Sequence, residues 1–497
     1  MKHLFRYCAA TAVVVLLGFG SIVAQERHGG DAPREGGPQS VGGKQIAAFT
    51  YAPIDWQVPR VGKDVERYVT TNGMVIYLKE DHTLPEFRIN AQIRCGGIYD
   101  APEQEGLSSL AGTVMRSGGT ASIPPDSLNA LLEYIAASIE TGIGMESGSA
   151  SLYCLTKDTE TGVKLFADVL RHPAFREEKL ELAKEQIRKS IKSRNDNPGS
   201  IVAREFDHTL YGEHPYGRVL EWATVKAITK DDLAAHHRRY FVPDRIMLGI
   251  TGDFPSGKIK KMIEKYFADW KQESEPLPAV PTVAKEFKPG VFFVEKDVNQ
   301  SNIRFGHLGV TEDNPDRYAI SVMNFILGGG SFNSRMTSRV RSDEGLAYSV
   351  GSRYDTDSRD LGAFYAYTQT KSNTTLKAMR LMKAEVERIR SGAVTDDELA
   401  LAKDSYINRY VFGFTSAGQI VSRLMGLEYD DRPRNELETY LDNVRAVTAA
   451  DVERVAQQYL QPDKISYMVV GKRAELDGDI AEFGEVKEVP LVEPVVN

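Results

Sequence analysis

A chain of 497 residues with 42% hydrophobic and 26% charged side chains holds enough apolar material for two or three ordinary domains, which excludes a disordered or fibrous protein. Its 61 basic and 69 acidic groups leave a formal net charge of -8. Such a field repels nucleic acid and anionic lipid, and no local basic patch reverses it.

Taken from the N-terminus, Lys2, His3 and Arg6 precede an apolar run from Cys8 to Phe19 and the small-residue stretch Ser21 to Ala24. The run is too short to span a bilayer comfortably. A secretory signal over 1–24 is therefore favoured over a retained anchor. Residues 25–50, rich in Gly, Pro, Gln, Glu and Arg, read as a disordered tether. A mature protein without stable membrane insertion, in the periplasm or outside the cell, is expected. It keeps Cys95 and Cys154, for which two free, partly buried thiols are favoured over one bridge.

The remainder repeats itself. Tyr240 to Ile246 recurs as Tyr459 to Ile465, an offset of 219 that also takes Leu180 to Leu399, Lys184 to Lys403, Thr229 to Thr448 and Asp232 to Asp451. Capping arrangements at Thr229–Asp232, Thr395–Glu398 and Thr448–Asp451 start helices, with helices expected near 177–195, 229–240, 396–412 and 448–459. Proline at 243 and 462 stops a helix in each half, and the β-branched runs that follow read as buried strands at 246–250 and 465–470. Other strands are expected at 73–79, 88–95, 149–156, 291–295, 302–309 and 361–370. The charged, proline-bearing stretch 271–290 is a linker. The outcome is an α+β protein of two homologous repeats, 51–270 and 291–485, each a mixed sheet with helices on one face.

Several motifs stand out: Gly96-Gly97-Ile98-Tyr99-Asp100, Glu105-Gly106-Leu107, Tyr211 to Arg218, Leu327-Gly328-Gly329-Gly330-Ser331-Phe332, and Arg341 to Val350. With the two repeats, they resemble the pitrilysin/insulinase metallopeptidase family. The resemblance is to its short branch, which includes mitochondrial processing peptidase and bacterial two-subunit peptidases. It implies a chain forming half of a clam-shell.

Active members carry His-x-x-Glu-His on the helix after the glycine matching Gly106, where two histidines bind zinc and the glutamate is the base. Here Ser109 and Thr113 stand at the histidines and Gly112 at the glutamate. Ser190, within a residue or two, stands at the third ligand. Neutral hydroxyls are poor zinc ligands and glycine is no base. None of the nine histidines forms a replacement motif, and the adjacent His236 and His237 read as a surface pair. His214, in a turn, is expected to pack or hydrogen-bond.

What the resemblance implies at the second repeat is different. An arginine and a tyrosine seven residues apart, here Arg341 and Tyr348, would reach a zinc site in a partner chain, hold the substrate backbone and stabilise an oxyanion. On the residues alone, a helix-end arginine paired with Asp343 or Glu344 competes with that reading. Gly328, Gly329 and Gly330 would border the substrate chamber; the run lacks the residues of a phosphate loop and reads as a helix end (317–327) followed by left-handed backbone. The expected function is a non-catalytic, substrate-binding subunit of a heterodimeric zinc peptidase. Such a chain would hold no cofactor itself; zinc would sit in a homologous partner acting on peptides or unfolded protein. A peptide-binding or scaffold protein without peptidase activity is the alternative.

Overall fold

The computed structural model describes residues 57–271, 274–356, 359–392 and 394–496, so the signal (1–24) and tether (25–50) read from the sequence lie outside the described residues. Chain order in the first half is β1 Glu66–Val69, β2 Val75–Glu80, β3 Glu86–Ile93, α1 Leu107–Ser117, α2 Pro125–Tyr134, β4 Ser138–Ile143 and β5 Gly148–Leu155. It continues with α3 Thr159–Arg171, α4 Glu177–Lys192, α5 Pro198–Tyr211, α6 Trp222–Ala227, α7 Lys230–Tyr240, β6 Ile246–Gly252 and α8 Ser256–Phe267. The second half has β7 Gly290–Glu295, β8 Gln300–Leu308, α9 Arg317–Asn324, β9 Ala347–Tyr354, β10 Ala363–Lys371 and α10 Thr375–Ser391. It ends with α11 Asp396–Tyr410, α12 Ala417–Tyr429, α13 Glu436–Ala446, α14 Ala449–Tyr459, β11 Ser466–Gly471 and β12 Val486–Glu488.

Each half builds one six-stranded mixed sheet, in the orders β1-β2-β6-β3-β5-β4 and β12-β7-β11-β8-β10-β9. The orders correspond strand for strand apart from the outermost member, antiparallel β1 in one sheet and parallel β12 in the other. Local chemistry explains the shared helix starts. At Thr229, Thr395 and Thr448 the hydroxyl accepts the third helical amide while the carboxylate at that position accepts the threonine amide. A cap of this kind stabilises a helix by about 1 kcal/mol.

The central strands β6 and β11 are buried along their whole length. One face of each sheet lies on helices of its own half. The other receives a helix from the opposite half. Shifting α5 by the repeat offset gives 417–430, which is α12 within a residue, and these two helices are exchanged. Ile201, Phe206 and Leu210 of α5 pack with Leu308, Met468 and Val470 of the second sheet. Val421 and Met425 of α12 sit over Gly249 of β6, where any Cβ would come within 2.6 Å of them. At the end of α12, Glu428 takes Arg67 (Nε donating at 2.6 Å) and the Tyr77 hydroxyl, while Tyr429 donates to the carbonyls of Ile93 and Glu146 at 3.1 Å.

Cys95 and Cys154 are free and buried. Burial raises both thiols, Cys154 to about 12, which keeps them protonated and inert. No described helix is long and apolar enough to cross a membrane.

Candidate functional site

Helix α1 starts after Gly106, whose φ of 97° lies in the left-handed region open to glycine. Its free amide at Ser108 donates to Asp100 Oδ2 at 3.0 Å, and the Ser108 hydroxyl donates to Oδ1 at 2.6 Å. With its proton so used, that hydroxyl accepts from Nε2 of His236 at 2.9 Å. Burial pushes Asp100 up to about 6 and His236 down to about 3. Arg218 donates to the Asp100 carbonyl at 2.9 Å and pairs with Glu105 at 3.4 Å. Two neighbouring motifs, Gly96–Asp100 and Glu105–Leu107, thus meet the distant Tyr211–Arg218 stretch where α1 begins, and their work is to dock that helix.

The histidine pair departs from expectation. His236 and His237 are only 4% and 8% exposed, because α7 packs on α1 and His237 reaches the last turn of α3. His237 Nε2 donates to the Leu170 carbonyl at 2.7 Å, and burial holds that imidazole down at about 4. His214 is buried too, its ring 4.7 Å from that of Tyr216, whose amide donates to its Nδ1 at 3.2 Å.

Along α1, Ser109 and Thr113 lie one turn apart on the exposed face, while Gly112 faces inward. A Cβ at Gly112 would overlap the Ile143 amide nitrogen and come within 2.8 Å of the Gly142 carbonyl carbon. Thr141 Oγ1 closes the contact by donating to the Gly112 carbonyl at 2.6 Å. No side chain fits at that position without moving β4. Ser190 is exposed on α4. Two surface hydroxyls, a further serine and a packed glycine do not fit a zinc ion. Among the described residues no group of three or more His, Cys, Asp or Glu side chains is placed to hold a metal.

In the second half α9 continues into a π-helical turn, Phe325–Gly329. Gly328 is buried, and a Cβ there would stand 2.5 Å from the Ser352 amide of β9. The left-handed backbone expected after the helix is present at Ser331 (φ 53°) and not at Gly328, Gly329 or Gly330. The glycines serve close packing; the strained residue is a serine, at a cost on the order of 1 kcal/mol. Ser331 sets the direction of Phe332, which is 62% exposed.

Arg335 then anchors the chain, donating through Nε and Nη2 to Glu398 at 2.6 and 2.7 Å. Burial opposes ionisation of Glu398, yet the Arg335 and Thr395 hydrogen bonds hold it at about 2. A second π-helical segment, Thr337–Asp343, carries Arg341. Tyr348 follows at the free edge of the sheet. Gln369 pairs with Ser349 and Thr370 with Ala347, so Tyr348 is the extra residue of a β-bulge and turns outward, 85% exposed.

These irregularities bring three side chains together. The Arg341 guanidinium carbon lies 4.4 Å from the Phe332 ring centroid and 4.7 Å from that of Tyr348. Among the described residues Arg341 makes no ion pair: Arg339 pairs with Asp343 and Glu344, and Lys377 with Glu344 at 2.7 Å. The competing reading of Arg341 as a helix-end ion-pair partner is thereby corrected, since its neighbour two residues earlier takes that role. Sequence reasoning missed the parts played by Phe332, Ser331 and the Arg335–Glu398 pair. Phe332 was present in the glycine motif; the pair spans too much chain to leave a local signal.

Two family models match the chain, "Insulinase (Peptidase family M16)" over residues 75–223 and "Peptidase M16 inactive domain" over 227–406. Among curated relatives, an uncharacterized zinc protease of Bacillus subtilis, YmxG, is 24% identical over 401 residues, 80% of this chain and 96% of its own. Another, of Streptomyces coelicolor, is 25% identical over 62% of this chain and 68% of its own. The fold matches a peptidase M16 inactive domain from Pseudomonas fluorescens (TM-score 0.74, 24% identity, 82% of this chain and 98% of that one). It also matches the periplasmic protease PqqL from Escherichia coli (TM-score 0.72, 17% identity, 84% of this chain and 46% of that one). The chain therefore belongs to the insulinase family of peptidases, family M16, and lacks that family's catalytic His-x-x-Glu-His motif.

Proposed function

We propose that this chain is the non-catalytic, substrate-binding subunit of a two-chain zinc peptidase, exported from the cytoplasm and paired with a homologous chain that carries the zinc site. The observation that carries this reading is Arg341 on its π-helical segment beside the bulged Tyr348, a cation that makes no ion pair among the described residues and lies at the open edge of a sheet. An arginine kept for stability ordinarily spends its donors on a carboxylate or on carbonyls. Among the described residues Arg341 spends none on a carboxylate, while helix α1 in the same molecule is packed closely on β4 at Gly112.

Chemistry at the metal belongs to the partner. The contribution of this chain is to orient a peptide and to meet negative charge developing on its carbonyl oxygen. The Arg341 guanidinium offers a fixed fork of donors and the Tyr348 hydroxyl a single one. Gly328, Gly329 and Gly330 shape the adjoining wall.

The test mixes the chain with a homologous chain bearing His-x-x-Glu-His and follows cleavage of an unfolded peptide. Chelator-sensitive hydrolysis exceeding that of the partner alone is expected, with Arg341→Ala lowering it by tens of fold or more. No gain on mixing would overturn the reading. Peptide binding without hydrolysis would point instead to a scaffold descended from a peptidase.

A further inference from the structure

Phe332 is a large apolar side chain left mostly in water, at the end of a backbone turn that a serine enters in the left-handed region. Neither feature serves the core. The arm that bears the ring is nonetheless fixed at its base. Ser334 Oγ donates to the Ser331 carbonyl at 2.8 Å and to Thr337 Oγ1 at 3.0 Å, and Arg335 is held by both Glu398 oxygens. What the ring touches is the Arg341 guanidinium, at 4.4 Å.

We infer that Phe332 is a positioning residue, which restrains the Arg341 side chain over its ring so that the N–H edges stay free for substrate. The assignment rests on the role proposed above for Arg341. Its logic is one of holder chemistry. A carboxylate could fix a guanidinium as well, but it would occupy the donors and cancel the charge; an aromatic face attracts the cation through its π surface and leaves the in-plane N–H groups pointing outward. The neighbouring carboxylates, Asp343 and Glu344, are kept away from Arg341 by Arg339 and Lys377. Tyr348 supplies a second ring but also a hydroxyl that the reaction uses, so Phe332 is the member of the cluster with no other task.

Two measurements decide it. In the full chain mixed with a zinc-bearing partner, Phe332→Ala lowers kcat at least tenfold with KM changed less than threefold, and Phe332→Tyr stays within threefold of wild type. The double variant F332A/R341A is no slower than R341A alone. Multiplying effects, or failure of tyrosine to rescue, would overturn the inference. The second measurement needs no partner. In the free chain labelled with 15N-arginine, the Arg341 Nε–H resonance carries a ring-current shift that F332A removes, and an unmoved resonance would also overturn it. If R341A leaves hydrolysis unchanged while F332A still moves the resonance, the functional reading of Arg341 fails and the positioning contact stands.

Discussion

Gly112 in α1 and Gly328, just beyond the end of α9, occupy equivalent places in the two halves, each pressed against the edge strand of its own sheet. Gly112 lies on β4 at Gly142 and Ile143; Gly328 lies on β9 at Ser352. A Cβ at either position would meet strand backbone, so both glycines let the chain approach its edge strand closely.

Gly112→Ala should therefore cost about 1–3 kcal/mol, because the methyl group meets strand backbone and not a flexible side chain. Ser109→Ala and Thr113→Ala, on the open face of the same helix, should stay within about 0.5 kcal/mol of wild type. Denaturant midpoints compare the three directly. A Gly112→Ala protein as stable as wild type would show that β4 yields easily, and restoring His-x-x-Glu-His to this chain would then be worth attempting.

A second expectation concerns the base of the Phe332 arm. Arg335 is almost fully buried and its bidentate bond to Glu398 links the arm to the capping box of α11. Arg335→Ala removes both of those bonds and leaves Glu398 with its Thr395 partners alone, at a cost of about 2 kcal/mol. Glu398 is held at about 2, below its ordinary 4.5, so the stability it supplies is present above pH 4.5 and lost as pH falls toward 2. Chemical denaturation of the arginine variant at neutral pH and near pH 2.5 should show a large deficit in the first condition and a much smaller one in the second.

Acid stability at higher pH turns on groups of opposite sign. His236, His237 and His307 are buried, with burial lowering them from 6.5 to about 3, 4 and 4. Each supplies stability above 6.5 that falls away in acid, as unfolding takes up a proton. Asp100 is the reverse: burial raises it from 3.8 to about 6, so its contribution is complete below 3.8 and lost as pH rises through about 6. Between about pH 4 and 6 the aspartate offsets one of the three histidines. Asp207 is also raised to about 6, but its side chain is 44% exposed and solvent screening reduces its weight. Asp100→Asn should steepen the loss of unfolding free energy with falling pH by about 1.4 kcal/mol per pH unit over that window. An unchanged slope would show that Asp100 ionises normally in the folded protein.

Much of the fold was legible because it is written in local signals. The capping boxes at Thr229, Thr395 and Thr448, the prolines at 243 and 462 and the β-branched runs after them each act within a few residues, and a repeat offset of 219 doubled all of them except the box at Thr395. The parts that escaped depend on distant partners. The bulge at Tyr348 exists only relative to β10, so no period in β9 announces it. His236 and His237 read as a surface pair because adjacent residues of a helix point in different directions, whereas their burial comes from α1 and from the Leu170 carbonyl at the end of α3. At the candidate site, the spacing of Arg341 and Tyr348 was visible but the ring of Phe332 was not tied to them, since its direction follows from one left-handed serine.

The exchanged helices were the least legible element and make the strongest test of how the halves depend on each other. The sequence of α5 shows an amphipathic helix but cannot say which sheet covers it, and the sheet of its own half has Met425 and Val421 of α12 over Gly249 of β6. Ile201, Val202, Phe206 and Leu210 are buried in a cluster with second-half residues such as Leu308, Met468 and Val470. At about 1.5–3 kcal/mol for each large apolar side chain taken out of water, returning these four to solvent costs as much as a domain's whole stability margin. A fragment ending at residue 270 should therefore bind hydrophobic dyes and aggregate, despite having a complete sheet and core of its own. Adding a fragment that starts at residue 271 should restore a soluble complex that elutes as one species. A first-half fragment that stays monomeric and melts cooperatively alone would show that α5 folds back onto its own sheet, and that the exchange contributes little to holding the halves together.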